Sequence, residues 1–114
     1  MSAQPKITND AMYQLLRDEK VVDFNARRAR GENCDLRGVN LRGLDLRKLN
    51  ADGLDLSDAY FHGADLRGID FRNTLLEGAS FKSSNVSGCY FPKELRPEEI
   101  QASVSLGIRV RYSA

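Results

Sequence analysis

One histidine, His62, and two cysteines, Cys34 and Cys89, are all that the 114-residue chain has of the residue types that most often ligate transition metals. A structural or catalytic zinc centre draws three or four such ligands together, so that chemistry is poorly supplied here. No apolar run approaches 18 residues, and no charged, hydrophobic, small-residue leader opens the sequence. The chain is expected to be soluble and cytoplasmic, without a membrane partner. An excess of charge of one sign is also lacking: 17 Lys or Arg stand against 16 Asp or Glu, for a formal net charge of +1. Within residues 32–92 the balance is seven basic against nine acidic side chains, and the flanking segments are mildly basic. None of these is extreme enough to mark a polyelectrolyte tail.

What the sequence has in abundance is a period of five. Between residues 34 and 92 a bulky apolar side chain recurs at Leu36, Leu41, Leu46, Leu56, Phe61, Leu66, Phe71, Leu76, Phe81, Val86 and Phe91, with the small Ala51 as the exception. Asp or Asn precedes most of them, and two positions after seven of them stands Gly (Gly38, Gly43, Gly53, Gly63, Gly68, Gly78, Gly88). A helix turns about 100° per residue, so these positions would scatter around it at steps of about 140°. A flat strand would send alternate ones to opposite faces. Neither element accommodates the pattern.

A short extended piece and one corner per unit does, because the winding chain then turns the same position inward each time. The residue two before the bulky one shares its side, giving inner pairs such as Val39/Leu41, Leu44/Leu46, Ile69/Phe71 and Ala79/Phe81, while the intervening Asp or Asn points out. Gly supplies a positive φ at the corner, with Asp58 and Asn73 as the next best residues. Phe61, Phe71, Phe81 and Phe91 recur every ten residues. With four sides and twenty residues per turn, Phe61 lies under Phe81 and Phe71 under Phe91; a three-sided coil sets Phe61 against Leu76 instead. Volume is traded inside units as a close-packed interior requires, with Leu49 before Ala51 and Ala59 before Phe61.

The units CDLRG, LDLRK, ADLRG and IDFRN resemble the pentapeptide repeat family, whose pattern is a small residue, Asp or Asn, Leu or Phe, then two variable positions. About twelve consecutive units, roughly half of the chain, follow it. The resemblance implies an all-β solenoid, a right-handed quadrilateral β-helix of about three coils, stacked to roughly 15 Å at about 4.8 Å per coil. The first inward position is often large in this chain (Val39, Leu44, Leu49, Leu54, Ile69), which predicts a wider or locally distorted first turn. The resemblance also implies a possible activity, since some members act on DNA topoisomerases as acidic, rod-like mimics of DNA that protect gyrase from quinolones or toxins. A short stub with this charge balance fits such a modulator poorly.

A solenoid's ends expose unpaired backbone, so α-helical caps are expected at both: residues 1–31 before the β-helix of 32–92, and a helix and strand in 93–114, all in one structural domain. Thr8 or Asn9 begins a helix with Ala11, Met12, Leu15 and Leu16 at helical spacing, ending near Lys20, and a second short helix or turn spans 22–29. Pro97 suits the first turn of a third helix, with Glu98 and Glu99 near its positive pole and Gly107 as its stop. Beyond it Ile108, Val110 and Tyr112 alternate with Arg109 and Arg111 as in a half-buried strand, which lies on this chain or on a second copy. With Ile100 and Val104 these three form the candidate self-association surface of a homodimer. Cys34 and Cys89 are predicted to point inward about 10 Å apart, as free thiols in a reducing compartment.

Residues twenty apart stack on one wall, so Arg42, His62 and Lys82 form one outward column and Arg47, Arg67 and Ser87 another, with Lys48 beside it. These walls are either a docking site for an acidic partner or a phosphate backbone, or cations that answer adjacent Asp columns, as Arg47 and Arg67 answer Asp45 and Asp65. Tyr60, Tyr90 and Leu75 replace the usual outward Asp or Asn; Tyr60 is the better contact candidate, and Tyr90 is expected to pack under the terminal cap. The candidate partner-binding surface is therefore Arg42, Arg47, Tyr60, His62, Arg67 and Lys82. No aromatic stacking platform lies in register with the basic column, so direct nucleic-acid binding is not expected. His62 has no carboxylate placed to orient it for acid or base work, and the glycines stand singly at corners and build no phosphate cradle. The expected protein is a non-catalytic interaction or scaffold module, without metal or cofactor, for an unidentified protein partner.

Overall fold

Asp10 starts the first helix, α1 (Ala11–Arg17), by accepting the N–H groups of Met12 and Tyr13 on its Oδ1 at 2.8 and 3.0 Å. The start thus falls just after Thr8 and Asn9, and Thr8 serves one step upstream, its Oγ1 accepting the Asp10 N–H at 3.2 Å. Glu19, with a left-handed φ of 58°, turns the chain into α2 (Val21–Ala29). A third helix, α3 (Pro97–Leu106), has Pro97 in its first turn and ends on Gly107 at φ 78°, both as expected. The structure, a computed structural model, describes residues 4–112.

Between α2 and α3 the chain winds with twenty residues per turn. Parallel bridges join Asn40 to Tyr60, Asp45 to Asp65, Asp55 to Leu75, Tyr60 to Ser80, Asp65 to Asn85 and Asp70 to Tyr90. Each is an isolated bridge, and no continuous strand is formed among the described residues. The reason lies in the unit: a corner every five residues leaves an extended piece too short for a ladder, so pairing runs along the coil axis one residue at a time. The phenylalanines follow the same period of twenty. Phe61 stacks on Phe81 with centroids 5.0 Å apart and planes 6° from parallel, and Phe71 stacks on Phe91 at 5.6 Å and 23°. The two stacks meet edge to face, as between Phe71 and Phe81 at 6.3 Å and 70°.

The outward Asp or Asn has a local task that its spacing alone does not disclose. Its Oδ1 accepts the N–H two residues on, from 3.0 Å at Asn40, Asp55 and Asp70 to 3.3 Å at Asp35 and Asp65, which closes each corner. This is the turn that Asx side chains favour, and it explains the residue preference. Asp58 takes the left-handed corner conformation expected of it (φ 62°), but Asn73 does not; Lys48 (φ 71°) and Ser83 (φ 60°) do instead. The Asn73 side chain donates to Asp52 Oδ1 at 2.9 Å and ties two levels of that corner together.

The large first inward residues, Val39, Leu44, Leu49 and Leu54, are buried in one continuous core with Met12, Tyr13 and Leu16 of α1 and Phe24 of α2. Their bulk fills the space between the first turn and the helices beneath it. Backbone polarity is met with equal care. The Asp35 N–H donates to Asp10 Oδ2, Asn40 N–H to the Lys6 carbonyl, Asp45 N–H to the Glu19 carboxylate and Asn50 N–H to Asn25 Oδ1. At the other end the N–H groups of Leu76, Gly78, Phe81 and Ser83 donate to Tyr112 Oη, the Val110 carbonyl, Ser103 Oγ and the Val104 carbonyl, at 2.8 to 3.0 Å. The terminal segments therefore stand where a previous and a next turn would be.

The cap at Phe81 offers a direct check, because both its donor and the Ser103 acceptor are buried. Ser103→Ala strands the Phe81 N–H and should lower the unfolding free energy in denaturant titration by about 1–3 kcal/mol. The exposed Ser105→Ala should stay within about 0.5 kcal/mol.

Candidate interaction surface

The Arg42, His62 and Lys82 column is held in line by the backbone. The N–H of Gly43 donates to the His62 carbonyl at 2.8 Å, that of Gly63 to the Lys82 carbonyl at 2.9 Å, and that of Ser83 to Val104 in α3 at 3.0 Å. Each of the three residues thus sits one level above the last, and together with Gly63 and Ser83 they line a shallow recess of about 310 Å³. At α1, the Arg17 guanidinium donates to the Asn40 carbonyl at 3.3 Å beside the Tyr13 hydroxyl.

His62 reports the potential there. Its Nε2 lies 2.8 Å from Ser80 Oγ, and Ser80 Oγ lies 3.2 Å from the Gly107 carbonyl. A single hydroxyl proton donated to Gly107 leaves Ser80 as the acceptor, so the neutral imidazole carries its proton on Nε2. Burial holds the imidazole pKa below its ordinary value, and Arg42, Lys82 and Arg109 press it in the same direction. No carboxylate is among the groups that shift it. The ring also stacks on Tyr60 at 4.2 Å, while the Arg109 guanidinium, bonded to the Gly78 carbonyl at 2.6 Å, lies 5.2 Å from the Tyr60 ring centre. Tyr60 is consequently half-buried between neighbours of its own chain.

The second predicted column behaves differently. Arg47 pairs with Asp45 at 2.8 Å and reaches Asp65 at 3.4 Å, and Arg67 pairs with Asp65 at 2.7 Å. Arg47 holds the Asp45 carboxyl down to about 2, first through its side-chain hydrogen bonds. The same lock joins Arg72 to Asp70 at 2.7 Å and lowers that carboxyl likewise. Among the described residues no such ion pair is formed by Arg42 or Lys82. Arg47 and Arg67 therefore answer their own Asp column, and Arg42, His62 and Lys82 do not.

The remaining predicted positions sort as follows. Tyr90 is 58% exposed with Arg72 over its ring, and does not pack under the terminal cap, because α3 and the tail close a different pair of walls, at Phe81 and Gly78. Ile100 and Val104 are half-buried against the core, Val110 is fully buried, and the Tyr112 hydroxyl donates to the Thr74 carbonyl at 3.1 Å. The tail segment lies on this chain, and of the five candidate self-association residues Ile108 alone remains exposed. Cys34 and Cys89 are free and half-buried, with the Cys89 thiol donating to the Leu66 carbonyl. Glu99, expected only to favour the positive pole of α3, is also buried and binds Arg111 at 3.2 Å. Among the described residues there is no cluster of potential metal ligands, and no helix is long and apolar enough to cross a membrane.

NMR titration of His62 should give a pKa below about 6.5, the unperturbed value, and Arg42→Ala should raise it. The sign for stability follows from linkage. A base whose pKa falls on folding binds its proton more readily when unfolded, so the contribution is complete above the unfolded pKa and is lost as pH falls through the folded one. An imidazole titrating at or above its ordinary value would contradict the electropositive wall.

The family model for pentapeptide repeats matches residues 23–53 and 55–91, in eight copies. No curated protein and no solved structure matches the chain. The match begins inside α2, so its first residues are helical here and wind into the coil only afterwards. By this match over more than half of its length, together with the twenty-residue turn and the stacked phenylalanines, the chain belongs to the pentapeptide repeat family.

Proposed function

We propose that the protein is a non-catalytic interaction module, a right-handed four-sided β-helix that presents the Arg42, His62 and Lys82 wall to a protein partner. The observation that carries this is the contrast between walls. Arginines 47, 67 and 72 are locked onto neighbouring Asp side chains, whereas Arg42 and Lys82 form no ion pair among the described residues. Right-handed winding is the family's expectation, and free thiols at Cys34 and Cys89 support a reducing, cytoplasmic setting. A gyrase modulator acting by DNA mimicry is disfavoured by the same wall, since a mimic must present negative charge.

Cross-linking capture from a cell extract tests the proposal. The full chain should retain a partner that is lost on Arg42→Glu with Lys82→Glu and kept on Arg72→Glu, with unchanged circular dichroism for both. Capture that is indifferent to the first pair, or no specific capture at all, contradicts it.

A further inference from the structure

The charge pattern of the wall says more about its occupant than that it is a protein. Arg42, His62 and Lys82 follow one line along the coil axis, one level apart, which sets Arg42 and Lys82 on the order of 10 Å apart at about 4.8 Å per level. We infer that this line binds an extended, acidic segment of a partner protein, laid parallel to the coil axis with carboxylates at alternate positions. The inference rests on the reading of the wall as a docking site.

The geometry supports each part. In an extended chain, side chains on one side recur about every 6.7 Å, so two alternate carboxylates, with the reach of flexible side chains, meet Arg42 and Lys82. The Arg42 guanidinium offers a forked donor to such a carboxylate, and Lys82 offers a point charge. Between them His62 is held by Ser80 and stacked on Tyr60, which gives the middle of the line a flat, fixed polar surface. The N–H groups of Leu41 and Phe61 are committed along the axis, to the Tyr60 and Ser80 carbonyls, both at 2.8 Å. The aromatic ring nearest the line, Tyr60, has His62 stacked on it and the Arg109 guanidinium beside it, and this leaves no free platform for a nucleic-acid base. The neighbouring column repels a competing occupant less than it ignores it, because Asp45 and Asp65 already neutralise Arg47 and Arg67.

Fluorescence anisotropy at low salt tests this with the full chain and a labelled heptapeptide carrying Glu at alternate positions, against the same peptide with Gln. The Glu peptide should bind at least about ten-fold tighter than the Gln peptide and lose that margin at high salt. Arg42→Gln with Lys82→Gln should abolish the margin, and Arg47→Gln with Arg67→Gln should leave it within about three-fold. Equal binding of the two peptides, equal loss in the two variants, or tighter binding of a single-stranded oligonucleotide of the same charge each overturns the inference. A captured partner that depends on Arg42 and Lys82 while the Glu peptide fails to bind leaves the interaction module standing and removes only its acidic ligand.

Discussion

The five-residue units send backbone N–H groups in both directions along the coil axis, and the fold depends on these finding acceptors. The N–H of the outward Asp or Asn points down, as from Asp65 to Leu44 at 2.9 Å and from Asn85 to Ala64 at 2.9 Å. The N–H of the bulky inner residue points up, as from Leu46 to Asp65 at 3.0 Å and from Leu66 to Asn85 at 2.9 Å. A middle turn is satisfied on both sides. A short stack has few middle turns, and each stranded buried donor costs about 1–3 kcal/mol, a large share of the stability of a domain this size. The ends must therefore be built as imitations of further turns.

The imitation is chemical as much as steric. Asp10 uses one carboxylate oxygen for the first turn of α1 and the other for the Asp35 N–H of the coil. Asn25 acts as a stand-in peptide group, its Oδ1 accepting from Asn50 and its Nδ2 donating to the Lys48 carbonyl, both at 2.9 Å. At the far end Tyr112 Oη and Ser103 Oγ replace carbonyls that a fourth turn would have supplied. The same axial bonds that need these caps also fix the outer columns. Arg42, His62 and Lys82 are aligned because the corner N–H groups of Gly43 and Gly63 are bonded from level to level. The candidate surface is a by-product of backbone pairing, and its charge is the part left to the sequence.

How much of this the residues disclosed follows from what repeats. The inner pairs, the four-sided count and the phenylalanine stacks are periodic, and spacing alone placed Phe61 under Phe81. The columns were legible for the same reason. The pairing of Arg47 and Arg67 with Asp45 and Asp65 was one of the two readings the sequence offered for both columns; what sets the other column apart is that Arg42 has Asn40 in the equivalent place, and a neutral amide cannot form that ion pair. That difference is present in the sequence and becomes meaningful once the pairing of Arg67 and Arg72 shows the habit. The cap acceptors occur once each, so no period marks Glu19, Asn25, Ser103 or Tyr112. Corner conformation followed residue type at Asp58 and departed from it at Asn73, whose side chain is taken up by Asp52.

The central claim, that the terminal segments replace missing turns, is tested most directly by amide hydrogen exchange. Protection at Asp35, Asn40, Asp45 and Asn50 below, and at Leu76, Gly78, Phe81 and Ser83 above, should match that of middle-turn amides such as Leu46, Asp65 and Leu66. Exchange at these end positions near the rate of an unstructured peptide, with the middle turn still protected, would contradict it.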